Sequence, residues 1–443
     1  MEHPLRRARE ARGWNPPEFA RRLRELGARR GVPVGTRKDG VYRWESGRRP
    51  DARTQLLIAE VLGIPPEAVQ PRLWPHWLEL DPLQQPGRHT WDAPGAIRAL
   101  AEVSGRETTM DRRRFTQLTG TALTASLWGW LLADPAAAGQ ITSARRLGEN
   151  AIGHIEDRVR RLRRADDLDG GGHLLTETAS TLELVVQLLR DRSYTDAHGA
   201  RLHAAAADLA RIHAWATFDV HDHCDDHAFR AALHSAHASG DTVLGSHVLA
   251  FWSIAANNTD RAADAEAMAG AALSAARGRT TPRVEAMLLS RRARARAHRG
   301  DPAAFTDLDR AADLLESADH NAGDDPEWVY WFDRSELLGA RASTHLDLNQ
   351  PARAEETFIE AAGRFPADRI RTHALFLARR ADAQWRQHDP ERACATAMEA
   401  LDLTEDISSH RAEGPLRTLA TDMADHDLPA VHELRERLRG LPA

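Results

Sequence analysis

Lys38 is the single lysine among the 59 lysines and arginines of this 443-residue chain. A nucleotide-binding P-loop needs GxxxxGK[ST], a protein kinase needs its strand lysine, and pyridoxal phosphate needs a lysine amine, so none of these has a candidate beyond residue 38. Cysteine is nearly as scarce: Cys224 and Cys394 lie far apart. That argues against a disulfide framework and, with no amino-terminal signal pattern, for a reducing, cytoplasmic setting. HExxH, GxSxG and CxxC do not occur. The expectation is a chain that is not an enzyme and needs no cofactor. Hydrophobic residues at 42% and charged residues at 28% describe a soluble globular protein, neither a disordered tail nor a membrane protein.

The charge that is present is unevenly placed. Residues 1–72 hold 16 Lys/Arg against 9 Asp/Glu, a balance of +7, which leaves the remainder at −13 within a net charge of −6. A basic amino-terminal unit on an acidic body suggests that the first segment meets a polyanion. Because arginine is abundant throughout, an arginine cluster elsewhere carries less weight as a functional patch.

The first segment reads as four short helices. The first runs from Pro4 and ends by Gly13; the second starts after Asn15, whose side chain can cap it, with Pro16 suited to the first turn. Phe19, Leu23 and Leu26 continue at helical spacing. After Gly31, Pro33 and Gly35, Thr36 is placed to cap a short helix over 37–46, stopped by Gly47 and Pro50. Val41 and Trp44 would face the core, leaving Arg37, Lys38, Asp39, Tyr42 and Arg43 outward, with Arg48 and Arg49 following. These residue types reach base edges and phosphates from a helix in the major groove. Asp51 then caps a fourth helix with Leu56, Ala59 and Leu62 on its apolar side, closed by Gly63-Ile64-Pro65-Pro66.

The runs Leu5-Arg6-Arg7-Ala8-Arg9-Glu10-Ala11-Arg12-Gly13-Trp14, Glu18-Phe19-Ala20, Val41-Tyr42-Arg43-Trp44-Glu45-Ser46-Gly47 and Leu62-Gly63-Ile64-Pro65 resemble the XRE-type repressor DNA-binding domain. The resemblance implies a lambda-repressor-like helix-turn-helix over residues 1–72 that binds double-stranded DNA. Its DNA-contacting residues would be Thr36, Arg37, Lys38, Asp39, Tyr42, Arg43, Arg48 and Arg49. Two departures are visible: Pro16 stands where the family usually has a phosphate-contacting glutamine, and Gly40 interrupts the third helix.

Residues 73–144 read as a connector plus an apolar helix. Pro75, Pro82, Pro86 and Pro94 break any long helix, while Trp74, Trp77 and Trp91 are too apolar for a free tether. Asp111-Arg112-Arg113-Arg114-Phe115 followed by the apolar stretch 118–133 imitates a twin-arginine export signal. With a folded domain ahead of it, a buried helix is the favoured reading, and export from a start at Met110 is the rival.

From 145 to 443 the pattern is helical throughout, with no two-residue alternation. A turn followed by A-x-x-x-(F/A)-x-x-(A/G) recurs at Ala263, Ala267, Gly270; at Ala354, Phe358, Ala361; and at Ala393, Ala397, Ala400, with weaker copies starting at Asp225 and Phe305. With Leu338, Ala342 and Pro366, the second of these resembles the tetratricopeptide repeat (TPR). The resemblance implies a TPR-like α-solenoid whose groove takes a peptide, protein or small-molecule effector. The aromatics Trp328, Trp331 and Phe332 are expected in the core rather than at a ligand. His221, His223, Cys224, Asp226 and His227 include zinc-ligand types, but no second pair completes a tetrahedral set, so a solvated turn is the favoured reading and no metal is expected. Asp169-Gly170-Gly171-Gly172 lacks the strand and helix of a phosphate cradle.

The expectation is therefore an all-α cytoplasmic transcription regulator, an XRE-type reader on a TPR body. It would act as a homodimer on an inverted-repeat operator, away from membranes. The rival, motivated by Pro16 and Gly40, is a TPR interaction scaffold whose helix-turn-helix does not bind DNA.

Overall fold

A computed structural model describes residues 3–10, 14–32, 34–62, 89–104, 147–169, 171–172, 174–318, 324–365, 369–404 and 410–440, with Val69, Trp74, Pro75, Leu78, Leu123, Leu127 and Trp130. The closing turn at 63–66, the double-arginine segment at 111–115, most of the apolar stretch after it, and Pro366 lie outside these residues. Among the described residues the fold is all helix, as the periodicity requires. The chain divides into two compact units, Met1–His89 and Thr90–Ala443.

The first unit holds α1 (Pro4–Glu10), α2 (Pro16–Arg29), α3 (Lys38–Glu45) and α4 (Ala52–Leu62). Asn15 caps α2 by accepting from Glu18 N at 2.9 Å, and Pro16 occupies the first turn, where its missing N–H leaves nothing unsatisfied. Leu5, Phe19, Leu23, Val41 and Ile58 are fully buried and Trp44 nearly so, with Trp74 and Leu78 joining the same core. On α4 the apolar side falls on Leu57, Ile58, Ala59 and Leu62, whereas Leu56 is exposed.

Asp51 caps α4, accepting from Thr54 N at 2.9 Å and from its hydroxyl at 2.7 Å. These bonds hold the Asp51 carboxyl below its ordinary range, the Thr54 hydroxyl contributing most. Asp51→Ala is expected to cost the unit about 1 kcal/mol, read as a lower urea midpoint; an unchanged midpoint would show that the cap contributes nothing.

The second unit begins with α5 (Ala93–Ser104), α6 (Glu149–Asp169) and α7 (Leu174–Asp191). Hairpin pairs come next: α8 (Asp196–His221) with α9 (Asp226–Ser239), α10 (Thr242–Asn257) with α11 (Ala262–Ala276), and α12 (Pro282–His298) with α13 (Ala304–Ala318). After them come α14 (Arg334–Asp347) with α15 (Pro351–Ala362), and α16 (Ile370–Arg386) with α17 (Pro390–Thr404). The chain ends on α18 (His410–Asp422) and α19 (Pro429–Gly440).

Short polar side chains start these helices: Thr195, Asp225, Asp241, Thr281 and Asp333 each accept from a backbone N–H of the first turn. Small residues let partners approach. Ala354, Phe358 and Ala361 are all buried against Ala342, Leu375 and Phe376, and a Cβ at Gly339 would collide with the Phe376 ring. Ala393, Ala397 and Ala400 are likewise buried.

The copy at Ala263, Ala267 and Gly270 is out of register. Ala263 and Ala267 face solvent, while Ala265, Met268, Ala269 and Ala272 pack inward. Alanine on both sides of α11 leaves the repeat template unable to choose a face.

The first helices of successive pairs, α8, α10, α12, α14 and α16, touch one another in order, as stacked pairs do. The far end then returns to the near end, with α16 against α6 and α18 against α8. Arg371 of α16 closes this contact, its Nη1 lying 3.3 Å from Asp166 Oδ1 and 3.1 Å from Asp219 Oδ2, all three side chains buried.

Candidate nucleic-acid interface

Three devices position α3. Arg24 Nη1 donates to Thr36 O at 2.6 Å and fixes the entry to the helix. At the exit, Gly47 takes a φ of +99°, a conformation that suits glycine, and Arg48 N reaches back to Arg43 O at 2.9 Å. Between α1 and α3 lies a buried ion pair: Arg9 Nε to Glu45 Oε1 at 2.7 Å, with Arg9 Nη1 also donating to Trp14 O at 2.7 Å. A guanidinium with several satisfied donors is the geometry in which such a pair holds two helices in register.

Thr36 does not cap the helix. Arg37 stands at the N-cap and its side chain makes no capping bond. The reason lies at Gly40, where a Cβ would come within 2.9 Å of Thr36 Cγ2. The glycine makes room for the threonine methyl against the first turn.

With Val41 and Trp44 turned inward, the outer face is as expected from the spacing. Arg37, Lys38, Asp39, Tyr42, Arg43, Arg48 and Arg49 are all exposed and Thr36 is half-buried. Tyr42 stands 51% exposed, unusual for an aromatic side chain with a core available beside it. Arg43 Nε lies along its own helix, 3.2 Å from Asp39 O.

Several arginines elsewhere in the unit are neutralised by ion pairs. Arg6 and Arg9 pair with Glu10, Arg9 also with Glu45, Arg21 with Glu25, Arg22 with Glu18 and Arg30 with Glu60. Among the described residues, Arg37, Lys38, Arg43, Arg48 and Arg49 form no ion pair with a carboxylate. Exposed Arg24 and Arg29 on α2 and Arg53 on α4 likewise form no such pair among the described residues, so the unpaired cations lie on α3 and its exit and also on its two neighbours. Pro16 is buried and carries no donor, so the phosphate contact that a glutamine would make there is missing.

Residues 5–64, spanning α1 to just past α4, match the family model described as the SP15 N-terminal domain. No curated protein and no solved structure matches the chain.

Other sequence candidates fall elsewhere. Cys224, Asp225, Asp226 and His227 form a buried turn, not a solvated one. Asp226 accepts from Trp252 Nε1 at 2.6 Å and pairs with Arg261 Nη1 at 3.0 Å, while Asp225 caps α9. No group of three or more His, Cys, Asp or Glu among the described residues could hold a metal ion. Gly171 N donates to Asp219 Oδ2 at 3.1 Å, and a Cβ there would press on Ala216 O, so this glycine serves close packing on α8. Phe332 is fully buried and Trp328 nearly so, as expected, whereas Trp331 is half-buried at the edge of that core. No helix among the described residues is long and apolar enough to cross a membrane.

Proposed function

We propose that the chain is a sequence-specific DNA-binding transcription regulator, with an XRE-type reader in its first unit and a TPR-like body that dimerises or senses an effector. The observation that carries this reading is the exposed face of α3, where Arg37, Lys38 and Arg43, flanked by Arg48 and Arg49, stand without carboxylate ion pairs among the described residues. A surface that keeps its cations unneutralised suits a phosphate backbone, and the exposed Tyr42 beside them suits a base edge. One small reader contacts too little DNA for strong specificity, so two readers on an inverted-repeat operator are the arrangement proposed. The setting proposed is the cytoplasm.

The test is fluorescence anisotropy on a duplex selected from a random pool by the full chain. Wild type is expected to show a log-log salt slope of about −4 per reader and a preference for the selected site. Arg43→Ala is expected to lose about 1 to 3 kcal/mol of that preference if it reads a base. The triple variant Arg37→Ala/Lys38→Ala/Arg43→Ala is expected to lose most of the salt slope. Equal affinity of wild type and the triple variant for selected and scrambled duplexes would leave the scaffold reading in its place.

A further inference from the structure

The outer face of α3 carries one anion among its cations. Of the seven carboxylate side chains described in the first unit, six are engaged: Glu10, Glu18, Glu25, Glu45 and Glu60 pair with arginines, and Asp51 caps α4. Asp39 is the seventh. It is exposed, and among the described residues its carboxylate makes no ion pair and accepts no hydrogen bond, although Arg37, Lys38 and Arg43 stand beside it on the helix. Even Arg43, one turn on, gives its Nε–H to the Asp39 backbone oxygen at 3.2 Å and not to the carboxylate.

The helix does not use this carboxylate as a cap. Arg37 occupies the N-cap position without a capping bond, and Asp39 stands two places inside. Its attraction to the helix dipole is weak and screened at an exposed position. On a face that meets phosphates, a lone carboxylate is repelled, so the place of Asp39 asks for a group on the duplex that answers it.

The backbone that carries Asp39 is held from two sides. The Thr36 methyl fills the space at Gly40, where a Cβ would come within 2.9 Å of it, and Arg24 Nη1 donates to Thr36 O at 2.6 Å. Asp39 is the second residue of α3, and a recognition helix presents its N-terminal residues to base edges.

The chemistry of a carboxylate selects among the bases. Ionised, it accepts hydrogen bonds and donates none. In the major groove guanine offers the acceptors N7 and O6, and thymine the acceptor O4 beside its methyl group, so both repel it. Adenine sets its N6 amino group beside the acceptor N7, and one carboxylate oxygen loses what the other gains. Cytosine offers its N4 amino group with no acceptor on the same base edge.

We propose that Asp39 reads cytosine, accepting from N4 of one cytosine in each half-site and excluding guanine and thymine there by repulsion. This inference rests on the reading of α3 as a DNA reader and adds to it the base at one position of the operator.

The test uses the full chain and the duplex that wild type selects from a random pool. Each base pair of a half-site is replaced in turn by the other three, and binding is followed by anisotropy. Wild type is expected to show one cytosine position where every replacement weakens binding about tenfold. Asp39→Ala is expected to accept all four pairs there within about twofold and to keep its preferences elsewhere. It should also bind a scrambled duplex at least as tightly as wild type, since a repelled charge is gone. Asp39→Asn is the sharper variant. Its amide sets a donor beside an acceptor, the complement of adenine N7 and N6, so selection with it is expected to return the wild-type site with adenine in place of that cytosine.

A role confined to holding the helix would weaken selected and scrambled duplexes alike. That uniform loss, a base profile unchanged in Asp39→Ala, or cytosine retained by Asp39→Asn would overturn the assignment. The two failures separate: wild type that selects no site and shows no salt slope removes the DNA reader and Asp39 with it, whereas a selected site whose profile ignores Asp39 removes the cytosine contact alone.

Discussion

Arg371→Ala is expected to destabilise the helical body by roughly 3 to 5 kcal/mol, a large share of the stability of any domain. Arg371 bridges Asp166 and Asp219 with side-chain exposures of 6%, 7% and 0%. The wild-type pair offsets the desolvation of its ions by attraction and by the Gly171 N–H that Asp219 also accepts. Removing the cation takes from the buried Asp219 side chain its Arg371 partner. It also cuts the contact that returns α16 to α6 and α8 across more than 150 residues of chain, so the loss should appear as a lower unfolding midpoint of the main calorimetric transition.

Adding Asp219→Asn should recover part of the loss, because the stranded carboxyl is then gone; a positive coupling of this kind is what a double-mutant cycle measures. The exposed pair Arg310–Glu285 serves as a control, since Arg310 is 64% exposed and its replacement should change stability by no more than about 0.5 kcal/mol. If Arg371→Ala is as mild as the Arg310 control, the ion pair does not close the body.

The first unit was legible in the sequence to a degree that the second was not, and the reason is locality. Asn15 before Pro16, Gly47 after Trp44 and Asp51 before Thr54 act within one turn of where they stand, so each could be read from neighbours alone. The helical character of residues beyond 145 followed from period for the same reason.

Local readings failed at Leu56 on α4, at the turn around Cys224, at Thr36 and on α11, and the last two show why. Thr36 gave up its cap because Gly40 offered its methyl a packing site, a contact that no propensity encodes. On α11 the repeat template selected Ala263 and Ala267, yet the helix buries Ala265, Met268, Ala269 and Ala272. When small residues occupy every face, burial is decided by which helix lies opposite.

A cavity of about 110 Å³ lined by α6, α8, α10, α12, α14 and α16 of the second unit was out of reach for a stronger reason. Its arginines come from helices scattered between Arg163 and Arg379, and an arginine-rich composition made each one look like background. One signal was available: His247 and Phe251 share a face of an otherwise apolar helix with Trp252 and Leu244 nearby, so a titratable ring sat where a core residue was due. The Trp328 to Phe332 segment shows how core and wall coincide. Phe332 is fully buried, while Trp328 is buried and also borders the cavity.

Acid should loosen the body well before its carboxylates titrate. His203 is fully buried, its Nε2 lacks a hydrogen-bond partner, and burial pushes its pKa down to about 4. Burial likewise lowers His213, His345 and His373, and it lowers His247 further, with Arg211 adding to the effect and Asp208 opposing it. In an unfolded chain each titrates near 6.5. The sign follows. Above about pH 6.5 both states hold neutral imidazoles and no penalty exists. As the pH falls below that point the unfolded chain takes up protons that the folded chain refuses, so stability declines. For His203 the decline continues to about pH 4 and amounts to roughly 3 kcal/mol.

The buried carboxylates do not mask this trend. Burial would raise Asp347, but Arg294 and His298 hold it down to about 2, and Asp208 is held low as well, so both remain ionised across the window. Urea midpoints should therefore fall steadily between about pH 7 and about pH 5, and His203→Gln, which cannot titrate, should flatten the slope by close to one proton. A midpoint constant across that range would mean that the folded body admits these protons, and with them water, to interior sites such as that of His203 between α8 and α9.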